Sequence, residues 1–149
     1  MMKERWGKAV LLLVVAAAVF VFACEQKEAP ETKLSVSDQS FFIRKDSPNA
    51  YVVDGRGQIK NNGPSDVRRV EVTANCLSCG EEIIVGKWFV SDVEKTAEQC
   101  DTISYIAAGG KEEFAIKGVA FIYNKVPEPP DHIPENIKVV IRSFETVPK

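Results

Sequence analysis

Beyond Met1 and Met2 the chain has no methionine, and His132 is its only histidine. A copper site built on thioethers is therefore excluded, and any imidazole chemistry rests on one side chain. Also missing are a G-x-x-x-x-G-K-[ST] loop, a dinucleotide-binding glycine pattern, an H-E-x-x-H pair and a G-x-S-x-G elbow, which removes the common nucleotide, zinc-protease and hydrolase signatures. Neither sign of charge is in large excess: 19 Lys and Arg stand against 21 Asp and Glu, a net of -2. No nucleic-acid partner is indicated, and no acidic solvating tail. Helical periodicity is absent over any ten-residue stretch after residue 40. What remains, 149 residues with 45% hydrophobic and 27% charged content, is the composition of one small globular domain.

The chain opens with MMKERWGK, followed at residues 9 to 23 by AVLLLVVAAAVFVFA, fifteen residues without a charged side chain. As a helix this run spans about 22 Å, short of the roughly 30 Å hydrocarbon core of a bilayer, and it ends on the small residue Ala23. Residues 1 to 23 are thus expected to be a secretory signal peptide rather than a membrane span. Val21-Phe22-Ala23-Cys24 resembles a bacterial lipobox. The resemblance implies cleavage before Cys24, lipidation of that residue, and attachment to a membrane by two or three acyl chains. It further implies a lipid-anchored position in the bacterial cell envelope, facing the periplasm or the exterior. Glu25 is not the aspartate associated with inner-membrane retention and so points to the outer membrane. Cleavage removes Lys3, Arg5, Lys8 and Glu4, leaving 126 residues with 16 bases against 20 acids, a net of -4. Attachment would rest on the lipid, not on attraction to an anionic bilayer. Residues 24 to 40 read as a polar tether, although Leu34 and Val36 alternate as a first edge strand would.

Residues 41 to 147 read as short β segments divided by turns. Strands are expected at 41 to 44, 50 to 61, 67 to 76, 82 to 90, 102 to 106, 113 to 123 and 137 to 147, with residues 92 to 100 as a short helix or irregular excursion. Gly55 and Gly57 suit a bulge or a close backbone approach. Asn61-Asn62-Gly63-Pro64 is a turn signal, and in the third strand Val70, Val72, Ala74 and Cys76 share one face. Four prolines between residues 127 and 134 exclude helix and strand there. Seven or so strands at this spacing predict an all-β, two-sheet antiparallel sandwich.

Several runs together resemble the FxLYD domains of bacterial exported proteins. They are Tyr51-Val52-Val53 leading to Gly57-Gln58-Ile59-Lys60-Asn61, Val67 with Val70-Glu71-Val72, Ile106 with Gly109-Gly110-Lys111-Glu112-Glu113-Phe114, and Val139 to Phe144. In place of the Phe-x-Leu-Tyr-Asp stretch the chain has Ala74-Asn75-Cys76-Leu77-Ser78-Cys79-Gly80. The resemblance implies an immunoglobulin-like sandwich without catalytic residues or cofactor.

Cys76, Cys79 and Cys100 carry what chemistry the sequence offers. In an oxidising compartment two of them are expected to pair. A bridge from Cys76 or Cys79 to Cys100 closes 22 to 25 residues and contributes about 3 kcal/mol on a loop-entropy argument. A Cys76 to Cys79 bridge closes a tight turn and leaves Cys100 free. Thiol exchange at the Cys76/Cys79 pair is the functional alternative, opposed by Glu81 and Glu82, whose charges raise a neighbouring thiol's pKa. A zinc set of Cys76, Cys79, Cys100 and His132 satisfies the ligand count but lacks a second closely spaced pair. Trp88 and Phe89 are adjacent on an expected strand, so their side chains point to opposite faces and at most one fills the core, the other marking a binding surface or packing at an edge under a loop. The expectation is a membrane-anchored envelope lipoprotein acting as a non-enzymatic interaction or structural module with an envelope protein partner. A periplasmic thiol redox protein is the alternative.

Overall fold

A computed structural model describes residues 34–91 and 94–148. The expected signal-peptide helix, Cys24 and the first part of the expected tether lie outside these residues. Six strands follow one another: β1 (Leu34–Ser47), β2 (Ala50–Asn61), β3 (Val67–Cys76), β4 (Cys100–Ile106), β5 (Lys111–Tyr123) and β6 (Ile137–Thr146). They form two antiparallel three-stranded sheets, ordered β1-β2-β5 and β4-β3-β6. The fold is the expected all-β sandwich. Its strand order follows A-B-E and C′-C-F of the immunoglobulin arrangement, with no counterpart of that fold's last strand among the described residues.

The core lies between the sheets. Val53 and Ile59 of β2, Val70 and Val72 of β3, and Phe114, Ile116 and Ala120 of β5 are all at least 98% buried. Each fully buried Val or Ile contributes roughly 1.5–3 kcal/mol. Gly55 and Gly57 share the inward face of β2, opposite Phe41 and Phe114 respectively. A Cβ on either glycine would lie 2.7 or 2.8 Å from the facing ring, so only glycine lets the two aromatic rings approach the backbone this closely. Val67 and Val70, and likewise Ile103 and Ile106, are buried although three residues apart. Arg69, with φ of 52°, is the irregular residue that lets both valines of β3 turn inward.

A buried polar chain joins the sheets where β5 departs from regular pairing between Val53 and Gly55 of β2. Gly118, at φ 73°, donates its amide to Asp54 (3.0 Å), and Asp54 accepts from Arg44 at 2.7 Å. The carbonyl of Gly118 accepts from the Gln99 side chain at 2.8 Å, and the Gln99 carbonyl accepts from the Thr73 hydroxyl of the other sheet at 2.7 Å. Arg44 is held charged beyond its ordinary range, chiefly by its hydrogen bond to Asp54. Buried polar groups stabilise when every member is satisfied, as here.

Two expectations are corrected. The tether does not extend to residue 40, because β1 begins at Leu34, pairs with Asn61, and half-buries Leu34 and Val36 against the core. Residues 82 to 90 are not a strand. Only the isolated bridges Gly80↔Phe89 and Phe89↔Phe121 form there, because Lys87 donates to the Ile84 carbonyl (3.0 Å) and Gly86 adopts φ 79°, closing a turn in mid-run. The expected excursion at residues 92 to 100 contains a 3-10 turn at Ala97–Gln99.

Register also fixes direction. Leu34 pairs with Asn61 and Ser47 with Ala50, so the chain enters at one end of the sandwich. The fourteen residues of β1 carry it to the opposite end, about 45 Å away, and β2 returns it to the entry end. At the entry end the Asn61 side chain, fully buried, donates to the carbonyls of Ser65 (2.8 Å) and Ile106 (3.3 Å) and accepts from the Gly63 amide (3.0 Å). Its backbone bonds both Gly109 and Gly110. One amide thus ties together the turns at residues 62–66 and 107–110. The long connections, residues 77–99 and 124–136, lie at the other end with the finish of β3 and the start of β6.

Candidate functional site

The inward phase of β3 that buries Val70, Val72 and Ala74 carries Cys76 into the core as well, 8% exposed at the strand's end. Leu77 then donates its amide to the Asn136 carbonyl (2.7 Å), and Ser78 Oγ accepts from the Asn136 amide (3.2 Å), pinning the turn to the start of β6. Cys79 returns beside Cys76, with Cα atoms 5.5 Å apart and the sulfurs bonded. Of the pairings the sequence allowed, this is the one the fold contains.

Cys100 is free and half-buried. It pairs in register with Thr73, whose phase along β3 is opposite to that of Cys76, so the two cysteines lie on opposite faces of the sheet. A bridge from Cys76 to Cys100 is thereby excluded without moving a strand. Arg142 lies 3.6 Å from the Cys100 sulfur and 2.8 Å from Glu71. Its guanidinium is raised above its ordinary range by Cys100 first and Glu71 next. Lys95 donates to the Ala74 carbonyl at 3.1 Å, and burial lowers its pKa.

Beyond Cys79 the chain loops round so that Phe89 comes to lie parallel to Gly80. Gly80 donates to the Trp88 carbonyl (3.1 Å) and accepts from the Val90 amide (2.9 Å), while Phe89 exchanges two 2.9 Å bonds with Phe121 on the edge of β5. Phe89 is 7% exposed, yet it lies outside the sandwich core, stacked on Tyr123 with ring centroids 5.5 Å apart. Trp88 packs against the core from its margin, half-buried, and its indole N–H donates to the His132 carbonyl at 3.2 Å. Sequence alternation separated the two rings correctly but could not reveal that the more deeply buried one covers a sheet's outer face.

Between the disulfide turn, residues 81–88 and the proline loop lies an open groove of about 800 Å³. Cys79, Ile84, Trp88 and Pro134 form its apolar part, and Glu81, Glu82, Lys87 and Glu135 its charged part. The volume is that of a ligand or peptide site. On the same loops Leu77, Ile83 and Val85 are 60%, 67% and 52% exposed. The structure therefore gathers Cys76, Cys79 and His132 at one end and leaves Cys100 on a sheet face. No group of three His, Cys, Asp or Glu side chains able to hold a metal occurs among the described residues. The His132 imidazole is exposed and hydrogen bonds to no hydroxyl, thiol or carboxylate among them. What the arrangement offers is an open groove with one disulfide residue, Cys79, in its lining. The groove escaped the sequence reading because its lining comes from two loops about fifty residues apart, and only the exposed Ile83-Ile84-Val85 run gave a local signal. No family model matches the chain, and neither a curated protein nor a solved structure matches it.

Proposed function

We propose that the protein is a lipid-anchored, non-enzymatic interaction module of the bacterial cell envelope, an FxLYD-like immunoglobulin-type sandwich held to the membrane through Cys24. The observation that carries this reading is the polarity of the sandwich. The chain enters β1 at one end, and the groove and exposed apolar loops occupy the other, so an anchor before residue 34 would hold the binding end away from the bilayer. Loops presented by a rigid scaffold are where binding usually resides. The test combines fatty-acid labelling of wild type and Cys24→Ser with site-specific photocrosslinking from position 84 or position 64 in intact cells. Expected are label on wild type only and protein crosslinks from position 84 only. Absence of label, or crosslinks from position 64 alone, would refute the reading.

One observation favours thiol exchange as a second reading: Cys79 of the disulfide lines an open groove. Cys76→Ser and Cys79→Ser would then abolish exchange with a thiol partner while the domain stays folded. Exchange at the wild-type rate in both variants would end that idea.

A further inference from the structure

The acidic groove narrows the class of partner. Glu81, Glu82 and Glu135 line it together with a single ammonium, that of Lys87. None of the three carboxylates has an ion-pair or hydrogen-bond partner among the described residues, whereas Glu71 and Glu145 on the sheet face are closed by Arg142, Arg68 and Arg69. Unpaired like charges on the walls of a cleft focus a negative potential across it. The apolar part of its lining includes Trp88, Ile84 and Pro134, and Trp is among the side chains enriched at interface hot spots.

Resting on the docking reading above, we propose that the groove takes a short cationic segment of another envelope protein. An aliphatic side chain would lie against Trp88, flanked by Lys or Arg residues that meet Glu81, Glu82 and Glu135. Charge complementarity chooses this occupant over a membrane surface. The exposed Ile83-Ile84-Val85 run would suit lipid, but the carboxylates beside it repel anionic headgroups. It also chooses against an acidic segment, which would bring like charges together at a cost of several kcal/mol.

The test measures fluorescence anisotropy of labelled 12-residue peptides on the detergent-solubilised full-length mature chain. The peptides are Lys/Leu, Glu/Leu and Lys/Ser in composition. The Lys/Leu peptide is expected to bind at least 10-fold more tightly than the other two. Raising salt from about 50 to 300 mM should weaken its binding several-fold, because surface charge pairs are screened. The triple variant E81K/E82K/E135K should lose at least 10-fold in affinity and lose the salt dependence. All three sites are exposed, so this variant is expected to fold. Trp88→Ala confounds binding with folding because Trp88 packs against the core, so Trp88→Phe, expected to weaken binding about 3-fold, provides the apolar arm. Equal binding of the Lys/Ser peptide, equal binding of the Glu/Leu peptide, or an unaffected triple variant would each overturn the proposal. Preferential binding to vesicles containing phosphatidylglycerol would do the same. Competition by the Lys/Leu peptide against photocrosslinking from position 84 separates the two levels. Crosslinks that persist undiminished remove the cationic partner and leave the docking end, while no crosslink at all removes both.

Discussion

At the entry end of the sandwich the connections are short, residues 62–66 and 107–110, and side chains close them. Asn61 bonds two carbonyls and an amide, and Asp66 accepts from the Ala108 amide and the Tyr105 hydroxyl. At the opposite end residues 77–99 and 124–136 are long. They are held by one disulfide, two isolated bridges and a few hydrogen bonds, those of Leu77 and Ser78 to Asn136 and of Trp88 to the His132 carbonyl among them. The comparison separates two jobs that a small domain must do. One end spends its polar side chains on holding the turns that fix both sheets. The other leaves Glu81, Glu82 and Glu135 without partners among the described residues and keeps a cluster of apolar residues in water, an arrangement that costs stability and provides a surface.

Mutations at the two ends should therefore differ in size. Asn61→Ala leaves three buried polar groups without partners and is expected to destabilise by about 3 kcal/mol in urea denaturation. A loss below about 1 kcal/mol would mean the entry end is not the anchor of the fold. Gly118→Ala, midway between the ends, forces a side chain into the left-handed region 3.1 Å from Phe121. It should cost about 2 kcal/mol, visible as a lowered Tm. The double variant Cys76→Ser and Cys79→Ser opens only a tight turn, and a loss of about 1–2 kcal/mol is expected. If chemical denaturation shows it costing more than Asn61→Ala, the ranking of the two ends is reversed. Smallest of all, the triple charge reversal at Glu81, Glu82 and Glu135 should move stability by less than about 0.5 kcal/mol, because surface substitutions away from pairs rarely do more. A larger change in the same assay would show that these carboxylates support the fold.

Much of this architecture was legible in the amino-acid order. β2 and β3 fall where alternation and turn chemistry place them, at Ala50–Asn61 and Val67–Cys76. Gly55 and Gly57 were marked as points of close approach, and the approaching groups are the rings of Phe41 and Phe114. Residues 82 to 90 misled because an apolar run is consistent with a strand whether or not a neighbour exists to pair with it. Here the edge of β5 meets Phe89 in one isolated bridge and Gly86 in one hydrogen bond to Tyr123, and the Ile84 to Lys87 turn keeps the rest from pairing. The three cysteines could be sorted only in space, since the pairing depends on Cys76 and Cys100 belonging to opposite phases of one sheet. The groove was not legible, because no local pattern announces that residues near 81 and near 135 will face each other.

The pole-to-pole course of β1 has a mechanical consequence. A load between the proposed anchor at Cys24 and a partner held near Ile84 would pass along β1, whose pairing with β2 runs from Leu34↔Asn61 to Ser47↔Ala50. Such a force lies parallel to the strands and loads the ladder in shear, so its hydrogen bonds resist together. Pulling between residues 34 and 84 in a force spectrometer should accordingly give a higher rupture force than pulling between residues 34 and 61, which peels the same bonds one at a time. Equal forces in the two geometries would show that β1 is not the element that bears the load.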